Sequence, residues 1–316
     1  MACDLVGRNF VSMLDFSREE ILEVLETARK LKAAGVPVMP QGEPVKAMPL
    51  QNRTLAMIFQ KPSLRTRVSF ETGMTQLGGH AIYLAPTDIS LGKRETTEDI
   101  AIVLSRYADI IMARVFGHDI VEDLAKHSTV PVINGLSDYE HPCQIMADFQ
   151  TIIERKGKLD GVKTCYIGDG NNVANSLMLG AARVGMHMTV ITPKGFEPKS
   201  EVFKTATEAA VSTGARIAVS NEMSAIDGAD VLYTDVWASM GQEAEAQQRK
   251  SNFAGYTIDE KAMKIAAPDA TILHCLPAHY GEEIDYQTSR LPSSAIFDQA
   301  ENRMHAQKAI MLHLVG

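Results

Sequence analysis

The chain has 316 residues, of which 45% are hydrophobic and 22% charged, so it can bury a large core and lacks the composition of a disordered protein. Its 31 basic and 39 acidic residues give a formal net charge of -8, which argues against a broad nucleic-acid-binding face. A single core stops growing at about 250–300 residues, so this length predicts two domains.

The cysteines are scattered and form no CxxC pair, which argues against a disulfide framework and against a cysteine zinc site. They are Cys3, Cys143, Cys165 and Cys275. The first residues contain no basic region followed by a continuous apolar stretch, and no uninterrupted apolar segment of about 18 residues occurs in the chain. We therefore predict a cytoplasmic protein with no membrane partner.

An opening helix is predicted where Ser17 and Glu20 form a capping box and apolar residues continue at helical spacing as far as Leu31. Gly35 and Pro37 end it. Short apolar runs then alternate with amphipathic segments, as in a parallel α/β sheet. In order, this series predicts strand 54–59, helix 65–77, strand 81–84, helix 97–107, strand 110–115, helix 120–126 and strand 130–133.

A long connecting helix, 142–155, leads into a second series of the same kind. This series predicts strand 163–167, helix 173–184, strand 188–191, helix 199–212, strands 217–219 and 231–233, helix 260–266 and strand 271–274. The charge run from Glu243 to Lys250 is interpreted as a solvated loop. The predicted fold is α/β, with two doubly wound parallel-sheet domains joined by helices and an active site in the cleft between them.

The segment after the first predicted strand has the features of an anion site. Residues 61–63 lead directly into a helix, so backbone N–H groups, the hydroxyls of Ser63 and Thr66, and Arg65 can converge on one phosphate. The P-loop pattern GxxxxGK[ST] is absent, and ordinary helix capping with surface arginines is the alternative. Arg67 can instead pack structurally.

A second group of donors comes from two later strand ends. Pro142 is favourable as a first helical residue, with His141 before it and Gln144 on a nearby face. An imidazole, an amide and a guanidinium such as that of Arg114 could stabilise a carbonyl oxygen that gains charge. A purely structural histidine is the alternative.

The second half contains an incomplete dinucleotide fingerprint. Gly168 and Gly170 are followed by Val173 where the third glycine belongs, which argues against a dinucleotide cofactor. Asn171 and Asn172 could instead hydrogen-bond an amino-acid carboxylate or amine. The alternative is that they cap the helix.

Two late loops offer a carboxylate and a thiol. Asp235 follows the strand 231–233, where its carboxylate suits a cationic amine, although a loop aspartate can simply form a turn. His274, Cys275 and His279 lie close in sequence, but a metal site usually needs more ligands and cysteine is often simply buried.

Five segments together closely resemble the ornithine carbamoyltransferases. They are SLRTR at 63–67, HPCQ at 141–144, DVWASMG at 235–241, HCLPAH at 274–279 and NRMHAQKA at 302–309. The first two resemble the wider carbamoyltransferase family, aspartate carbamoyltransferase included, and so indicate carbamoyl phosphate. The similarity of Asp235 and the loop Ser239–Gly241 to the family's ornithine-binding residues indicates the acceptor.

The resemblance implies a role for each matching residue. Carbamoyl phosphate would contact Ser63, Leu64, Arg65, Thr66, Arg114, His141, Pro142, Cys143, Gln144, Cys275, Leu276 and Arg303. Ornithine would contact Asn172, Asp235, Ser239 and Met240. The catalytic set would be Arg65, Arg114, His141, Asp235 and Cys275. The first domain, 1–150, would bind carbamoyl phosphate, with a C-terminal helix at about 299–316 packing back on it, and 151–298 would bind ornithine.

The resemblance also implies a homotrimer with active sites near subunit interfaces, and no metal or organic cofactor. Two positions depart from the family pattern, since Ser90 stands where bacterial members commonly have Gln and Tyr280 where many have Arg. The alternatives are a carbamoyltransferase for another amine such as putrescine, a non-catalytic carbamoyl-phosphate sensor and an NAD-dependent dehydrogenase. The reaction could serve arginine synthesis or run in reverse to release carbamoyl phosphate from citrulline.

Overall fold

A computed structural model of the chain describes residues 4–35, 48–89, 91, 94–238 and 245–316. The chain forms two compact units: unit 1 comprises Met1–Ala147 and Glu301–Gly316, and unit 2 comprises Asp148–Ala300. Each unit contains a parallel sheet with helices, which confirms the predicted fold class. Within the described ranges, no helix combines the length and apolar character needed to cross a membrane.

The elements before residue 142 follow the predicted order, except that a short helix at Pro86–Ile89 precedes the helix Thr97–Leu104 and was not predicted. They are α1 (Arg18–Ala34), β1 (Thr54–Phe59), α2 (Leu64–Gln76), β2 (His80–Leu84), α3 (Pro86–Ile89), α4 (Thr97–Leu104), β3 (Ile110–Arg114), α5 (His118–His127) and β4 (Val132–Leu136). The opening helix has the predicted capping box, in which Ser17 accepts from the Glu20 N–H and Glu20 accepts from the Ser17 N–H. Gly35, at φ 69°, ends it as predicted.

The sheet of unit 1 has the strand order β2-β1-β3-β4, and all neighbouring strands are parallel. The chain leaves β1 toward one side to form β2 and returns to the other side to form β3, so the strand order reverses between β1 and β3. The carboxyl ends of these strands are adjacent, with Phe59 paired to Arg114. Such a reversal is where ligands bind in open α/β sheets.

The remaining elements run from the connecting helix to the C-terminus. They are α6 (Pro142–Lys156), β5 (Lys163–Ile167), α7 (Asn172–Val184), β6 (His187–Ile191), α8 (Ser200–Ala210), β7 (Ile217–Ser220), β8 (Val231–Thr234), α9 (Ala246–Asn252), α10 (Glu260–Ile265), β9 (Thr271–His274) and α11 (Ile296–Val315). Residues 301 onward in α11 belong to unit 1, where Asn302 accepts from Lys32 at 2.8 Å and Lys308 donates to Gln76 at 2.8 Å.

The sheet of unit 2 has the order β7-β6-β5-β8-β9 and is again entirely parallel. Its strand order reverses between β5 and β8. At this edge Thr234 pairs with Ile167 on one side and with His274 on the other. The loops that follow β5, β8 and β9 therefore begin side by side.

One sequence interpretation is wrong in the described part of the charge run 243–250. The segment Ala246–Asn252 is a helix, and Arg249 in that helix is only 7% exposed. Arg249 is buried because acceptors surround its guanidinium, including the Asp169 carboxylate at 2.8 Å. A charge count along the chain does not show that a distant carboxylate will face one member of the run. Glu243 lies outside the described residues.

Candidate functional site

The anion site predicted in unit 1 is built on the start of α2. Ser63 is the N-cap residue, and its side chain makes no capping hydrogen bond. The first-turn N–H groups of a helix have no partner within the helix, and the helix dipole places positive potential there. The first turn of α2 contains no acidic residue. This terminus can therefore receive a phosphate group.

Thr66 connects two arginines at this terminus. Its hydroxyl oxygen accepts from Arg114 Nη1 at 3.3 Å and lies 3.5 Å from Arg303 Nη2. Arg303 also donates to the Gln144 amide oxygen at 2.6 Å. Thr66, Gln144 and Arg303 are at most 3% exposed. Unit 1 thus brings together residues that are 237 positions apart in the sequence.

His141 is also buried and is surrounded by positive charge. Burial lowers the pKa of its imidazole well below 6.5, and the nearby guanidinium groups of Arg303, Arg114 and Arg65 lower it further. A neutral imidazole can donate one hydrogen bond without adding a fourth positive charge. The three guanidinium groups supply the charge that a dianion needs.

Three other residues were predicted to contact carbamoyl phosphate, and their side chains have different surroundings. The Leu64 side chain is 75% exposed, so its backbone N–H is the group that can face an anion. Pro142 is the first residue of α6, as predicted. The Cys143 thiol donates to the Asn134 carbonyl at 3.4 Å, and burial raises its pKa to about 12. Cys143 therefore stays a protonated thiol that faces the backbone of β4.

Arg67 packs against neighbouring side chains, as the structural interpretation of this residue predicted. Its Nε donates to the Glu71 carboxylate at 3.0 Å, and its guanidinium lies 3.9 Å from the centre of the Tyr83 ring. These contacts engage the side chain on the outside of α2. Of the two arginines in SLRTR, Arg65 is the one whose charge acts on His141.

In unit 2, Asp235 is the centre of a second polar group. One carboxylate oxygen accepts from the Cys275 thiol at 2.9 Å and from the Val236 N–H at 2.8 Å. The other accepts from the Asn171 amide nitrogen at 3.0 Å. Asp235 is 7% exposed, so the chain holds this carboxylate in a fixed direction at the end of β8.

The two asparagines before α7 have different places. Asn171 caps the helix, because its amide oxygen accepts from the N–H groups of Val173 and Ala174. This fixes the orientation of the amide, so that its nitrogen faces Asp235. Asn172 is the first residue of the helix.

The glycine pattern here has a packing explanation. A Cβ atom at Gly170 would lie 2.3 Å from the backbone nitrogen of Pro198. The glycine is therefore required by the neighbouring loop in unit 2, without reference to a pyrophosphate. This explanation weakens the dinucleotide alternative further.

The turn after β9 engages both ring nitrogens of His274. Nδ1 accepts from the Leu276 N–H at 2.9 Å, and Nε2 lies 3.0 Å from the Glu283 carboxylate. Donor atoms of Asp235, His274 and Cys275 lie within 4.8 Å of one another, as they would in a metal site. A metal at this position would have to displace one of the contacts of His274, which argues against the metal alternative.

Arg249 and Asp169 belong to the surroundings of this group, and neither was predicted as a site residue. Arg249 donates to Asp169 at 2.8 Å and to the Trp237 carbonyl at 3.0 Å. Asp169 follows β5, and its position beyond a strand end was the available sequence signal. Arg249 gave none, because it lies in a run of charged residues.

Of the two positions that depart from the family pattern, Tyr280 lies within the described residues. Ser90, Ser239 and Met240 lie outside the described residues. The Tyr280 hydroxyl lies 3.4 Å from the Arg290 guanidinium, whose carbon is 5.4 Å from the centre of the Tyr280 ring. Arg290 therefore places a positive charge beside Tyr280.

The fold and these groups of side chains define a two-unit α/β protein with an arginine-rich anion site in unit 1 and a fixed carboxylate in unit 2. Residues 8–154 match the family described as aspartate/ornithine carbamoyltransferase, carbamoyl-P binding domain. Residues 160–314 match the Asp/Orn binding domain of the same enzymes. The chain belongs to the aspartate/ornithine carbamoyltransferase family.

Individual relatives match over nearly their whole length. The ornithine carbamoyltransferase of Thermococcus kodakarensis is 50% identical over 317 residues, covering 100% of this chain and 99% of the relative. That of Anoxybacillus flavithermus is 53% identical over 312 residues, with 98% of each chain covered. The solved ornithine carbamoyltransferase of Pyrococcus furiosus superposes with a TM-score of 0.94 at 50% identity, covering 100% of this chain and 99% of that one.

Proposed function

We propose that the chain transfers the carbamoyl group of carbamoyl phosphate to the side-chain amine of L-ornithine, giving L-citrulline and phosphate. The observation that carries this proposal is the pair of groups just described. One is a cationic site at a helix N-terminus with a neutral imidazole, and the other is a buried carboxylate joined to a thiol. The relatives in both comparisons are named ornithine carbamoyltransferases, which supports ornithine as the acceptor.

Unit 1 is proposed to bind carbamoyl phosphate. The phosphate would accept from the N–H groups and hydroxyls at the start of α2 and from Arg65 and Arg114. The carbamoyl oxygen would accept from His141, with Arg303 and Gln144 beside it. The hydrogen bonds that join Thr66 to Arg114 and Arg303, and Arg303 to Gln144, support one site for both groups of the ligand.

Unit 2 is proposed to bind ornithine. The Asp235 carboxylate would attract the protonated side-chain amine, and Asn172 would contact the amino-acid end. Cys275 donates to the same carboxylate, and the pair would together orient the amine. Ser239 and Met240 are proposed acceptor contacts on the basis of the family resemblance. Cys275 and Leu276 would contact the carbamoyl group and the amine.

The chemistry follows from these charges. An ornithine side-chain amine resembles lysine, with an ordinary pKa of about 10.4, so it must lose a proton before it attacks. The neutral amine nitrogen then forms a bond to the carbamoyl carbon, and the bond from that carbon to the phosphate oxygen breaks. The first proton leaves to solvent, and the nitrogen loses a second proton as its bond to the carbamoyl carbon forms. The arginines stabilise the charge on the departing phosphate, which can take up this second proton.

An acceptor comparison tests the proposal. The purified chain is incubated with carbamoyl phosphate and, in separate reactions, with L-ornithine, putrescine or L-aspartate, and the carbamoylated product and phosphate are quantified. We expect citrulline and phosphate in equal amounts and a preference for ornithine. A preference for putrescine would support the alternative acceptor, and binding of carbamoyl phosphate without any product would support the non-catalytic alternative.

The assembly and cellular role are part of the proposal. We propose a cytoplasmic homotrimer, since the family resemblance implies a trimer and unit 1 exposes apolar side chains suited to an interface. These are Leu64, Val68, Ile82, Ile102 and Val103, each at least 39% exposed. Light scattering after gel filtration measures the subunit number.

A role in arginine synthesis is supported by a relative from Pyrococcus furiosus, 50% identical over 317 residues, that is named as the anabolic enzyme.

A further inference from the structure

Glu140, directly before His141, carries a buried carboxylate that the proposed chemistry does not use. Its side chain is in the interior of unit 1, and the residue is only 1% exposed. A buried carboxylate costs free energy to desolvate, so the groups that bind it indicate its purpose. Two of these groups belong to residues 10–16, which are more than 120 positions away in the sequence.

Each carboxylate oxygen of Glu140 accepts from a different residue near the N-terminus. Oε1 accepts from the Ser12 hydroxyl at 2.5 Å, and Oε2 accepts from the Met13 N–H at 3.1 Å. Because the two oxygens have separate donors, the carboxylate is held in one orientation. Met13 is 0% exposed, so its N–H needs an acceptor within the protein, and Glu140 supplies it.

Residues 10–16 are themselves fixed to the sheet of unit 1. The Phe10 N–H and the Phe10 carbonyl each form a 2.9 Å hydrogen bond with the backbone of β4. The Asp15 N–H donates to the Ser12 carbonyl at 3.1 Å, and the Asp15 carboxylate accepts from the Ser12 N–H at 2.9 Å. These bonds close a turn that contains Met13. The groups that hold the Glu140 carboxylate are therefore part of the folded unit.

The backbone of Glu140 is held as well. Its N–H donates to the Ser137 hydroxyl at 3.1 Å, and its carbonyl accepts from the Ser137 N–H at 2.9 Å. Only His141 lies between this fixed residue and the start of α6 at Pro142. The direction of the His141 imidazole therefore depends on Glu140 on one side and on α6 on the other.

We propose that Glu140 is a positioning residue that, with Ser12 and Met13, sets the direction of the His141 imidazole toward the carbamoyl oxygen. This inference rests on the proposed function. A donor to an oxygen that gains charge must be aligned in advance, and a misplacement of about 1 Å can lower a rate on the order of 100-fold. The inference requires the hydrogen bonds of Glu140 and does not require its charge.

Two replacements of similar volume separate these hydrogen bonds from the packing of the side chain. In Glu140→Gln, the amide oxygen can accept from the Met13 N–H, and the amide nitrogen can donate to the Ser12 hydroxyl oxygen. In Glu140→Leu, both residues lose their partner. We expect kcat/KM for carbamoyl phosphate to fall on the order of 100-fold in Glu140→Leu and to stay within about threefold of the parent in Glu140→Gln. Equal losses in the two variants would overturn the inference.

A background that lacks the imidazole tests whether Glu140 acts through His141. His141→Gln is combined with Glu140→Leu, and kcat/KM for carbamoyl phosphate is compared with that of each single variant. If Glu140 serves to direct the imidazole, its replacement costs little once the imidazole is gone, so the double variant should lie within about threefold of His141→Gln. Losses that multiply would show that Glu140 acts independently of His141 and would overturn the inference.

Ser12→Ala removes one donor from the other side of the contact, at a half-buried position whose truncation leaves the core intact. We expect kcat/KM for carbamoyl phosphate to fall about tenfold, since the Met13 N–H remains. Val24→Ala, a core truncation in α1, is the control for lost stability, and it should lower the thermal midpoint without lowering kcat/KM. Parental kcat/KM in Ser12→Ala, or a matching loss in Val24→Ala, would contradict the inference.

Binding of carbamoyl phosphate without ornithine, measured by isothermal titration, separates this inference from the proposed function. We expect the Kd to rise about tenfold in Glu140→Leu and to stay within about threefold of the parent in Glu140→Gln. A parent chain that binds carbamoyl phosphate but forms no citrulline would refute the proposed transfer, and the two Kd values would then decide the inference. A parent chain that does not bind carbamoyl phosphate would refute both.

Discussion

The guanidinium of Arg249 donates to the carboxylate of Asp169 across 2.8 Å, and the two side chains are only 9% and 11% exposed. The same guanidinium donates to the Trp237 carbonyl at 3.0 Å. Burial raises the pKa of the Asp169 carboxyl group, and the charge of Arg249 offsets part of this increase. This ion pair therefore connects the loops after β5 and β8 to helix α9, all within unit 2.

Removing one partner of this pair should strongly destabilise unit 2. In Arg249→Met, Asp169 stays buried without its cation, and we expect a loss of about 3–5 kcal/mol in the free energy of unfolding. Trp237 is the single tryptophan of the chain and lies beside the pair, so its fluorescence during urea unfolding reports the change.

Two further variants show whether the lost stability comes from an uncompensated charge. The double variant Arg249→Met, Asp169→Leu should recover part of the loss, because an apolar pair can replace a buried ion pair. Lys264→Met removes an exposed cation that pairs with Glu260 at 2.7 Å, and it should leave the urea midpoint unchanged. A double variant less stable than Arg249→Met would refute this explanation.

The sequence predicted the strands and helices well because periodicity and caps are local signals. Ser17 and Glu20, for example, define the start of α1 within four residues. Ends of helices that lack such a local signal were predicted less accurately. The helix predicted to reach residue 107 ends at Leu104, where the Ser105 hydroxyl donates to the Ala101 carbonyl at 2.7 Å.

The candidate site was predictable where its residues lie at strand ends within recognisable motifs. The contacts that hold those residues were not, because they join positions far apart in the chain. Arg249 and Asp169 are 80 residues apart, and nothing near either position indicates the other. His274 and Glu283 are only nine residues apart, but their hydrogen bond depends on the conformation of the turn between them, which no local sequence signal specifies.

The two arginines at the start of α2 should have unequal roles. The charge of Arg65 lowers the pKa of His141, whereas Arg67 contacts Glu71 and the Tyr83 ring on the outer side of the helix. We expect Arg65→Gln to lower kcat/KM for carbamoyl phosphate by on the order of 100-fold or more, with little change in the thermal midpoint. Arg67→Gln removes the same charge two residues away and should retain activity within about tenfold. Near-normal turnover in Arg65→Gln would exclude its proposed role.

His141 should make stability depend on pH. Its pKa is lowered in the folded chain, so below about pH 6.5 the unfolded chain binds a proton that the folded chain does not. The contribution of His141 is fully present above this pH and is lost as the pH falls, by at most about 1.4 kcal/mol per pH unit.

The difference between the parent and His141→Gln isolates this effect. In buffers without phosphate, the parent should lose more stability than the variant between pH 7.5 and 5.5, as measured by urea unfolding. Several other histidines also have lowered pKa values and affect both proteins alike: His118, His305 and His313. His80→Gln, at an exposed position in β2, controls for the loss of an imidazole. Parallel pH profiles for the parent and His141→Gln would exclude a buried neutral imidazole.

Cys275 should affect ornithine more than carbamoyl phosphate, because its thiol donates to Asp235 within unit 2. In Cys275→Ser, the shorter hydroxyl group pulls back from the carboxylate oxygen 2.9 Å away. We expect KM for ornithine to rise by about tenfold, equivalent to about 1.4 kcal/mol, and KM for carbamoyl phosphate to stay within about twofold. Initial rates measured with each substrate varied in turn give both constants. Cys165→Ser is the matched control, since that thiol is buried, its pKa is raised to about 12, and it donates to the Ala225 carbonyl instead. Equal increases in both KM values for Cys275→Ser would contradict the division of substrates between the two units.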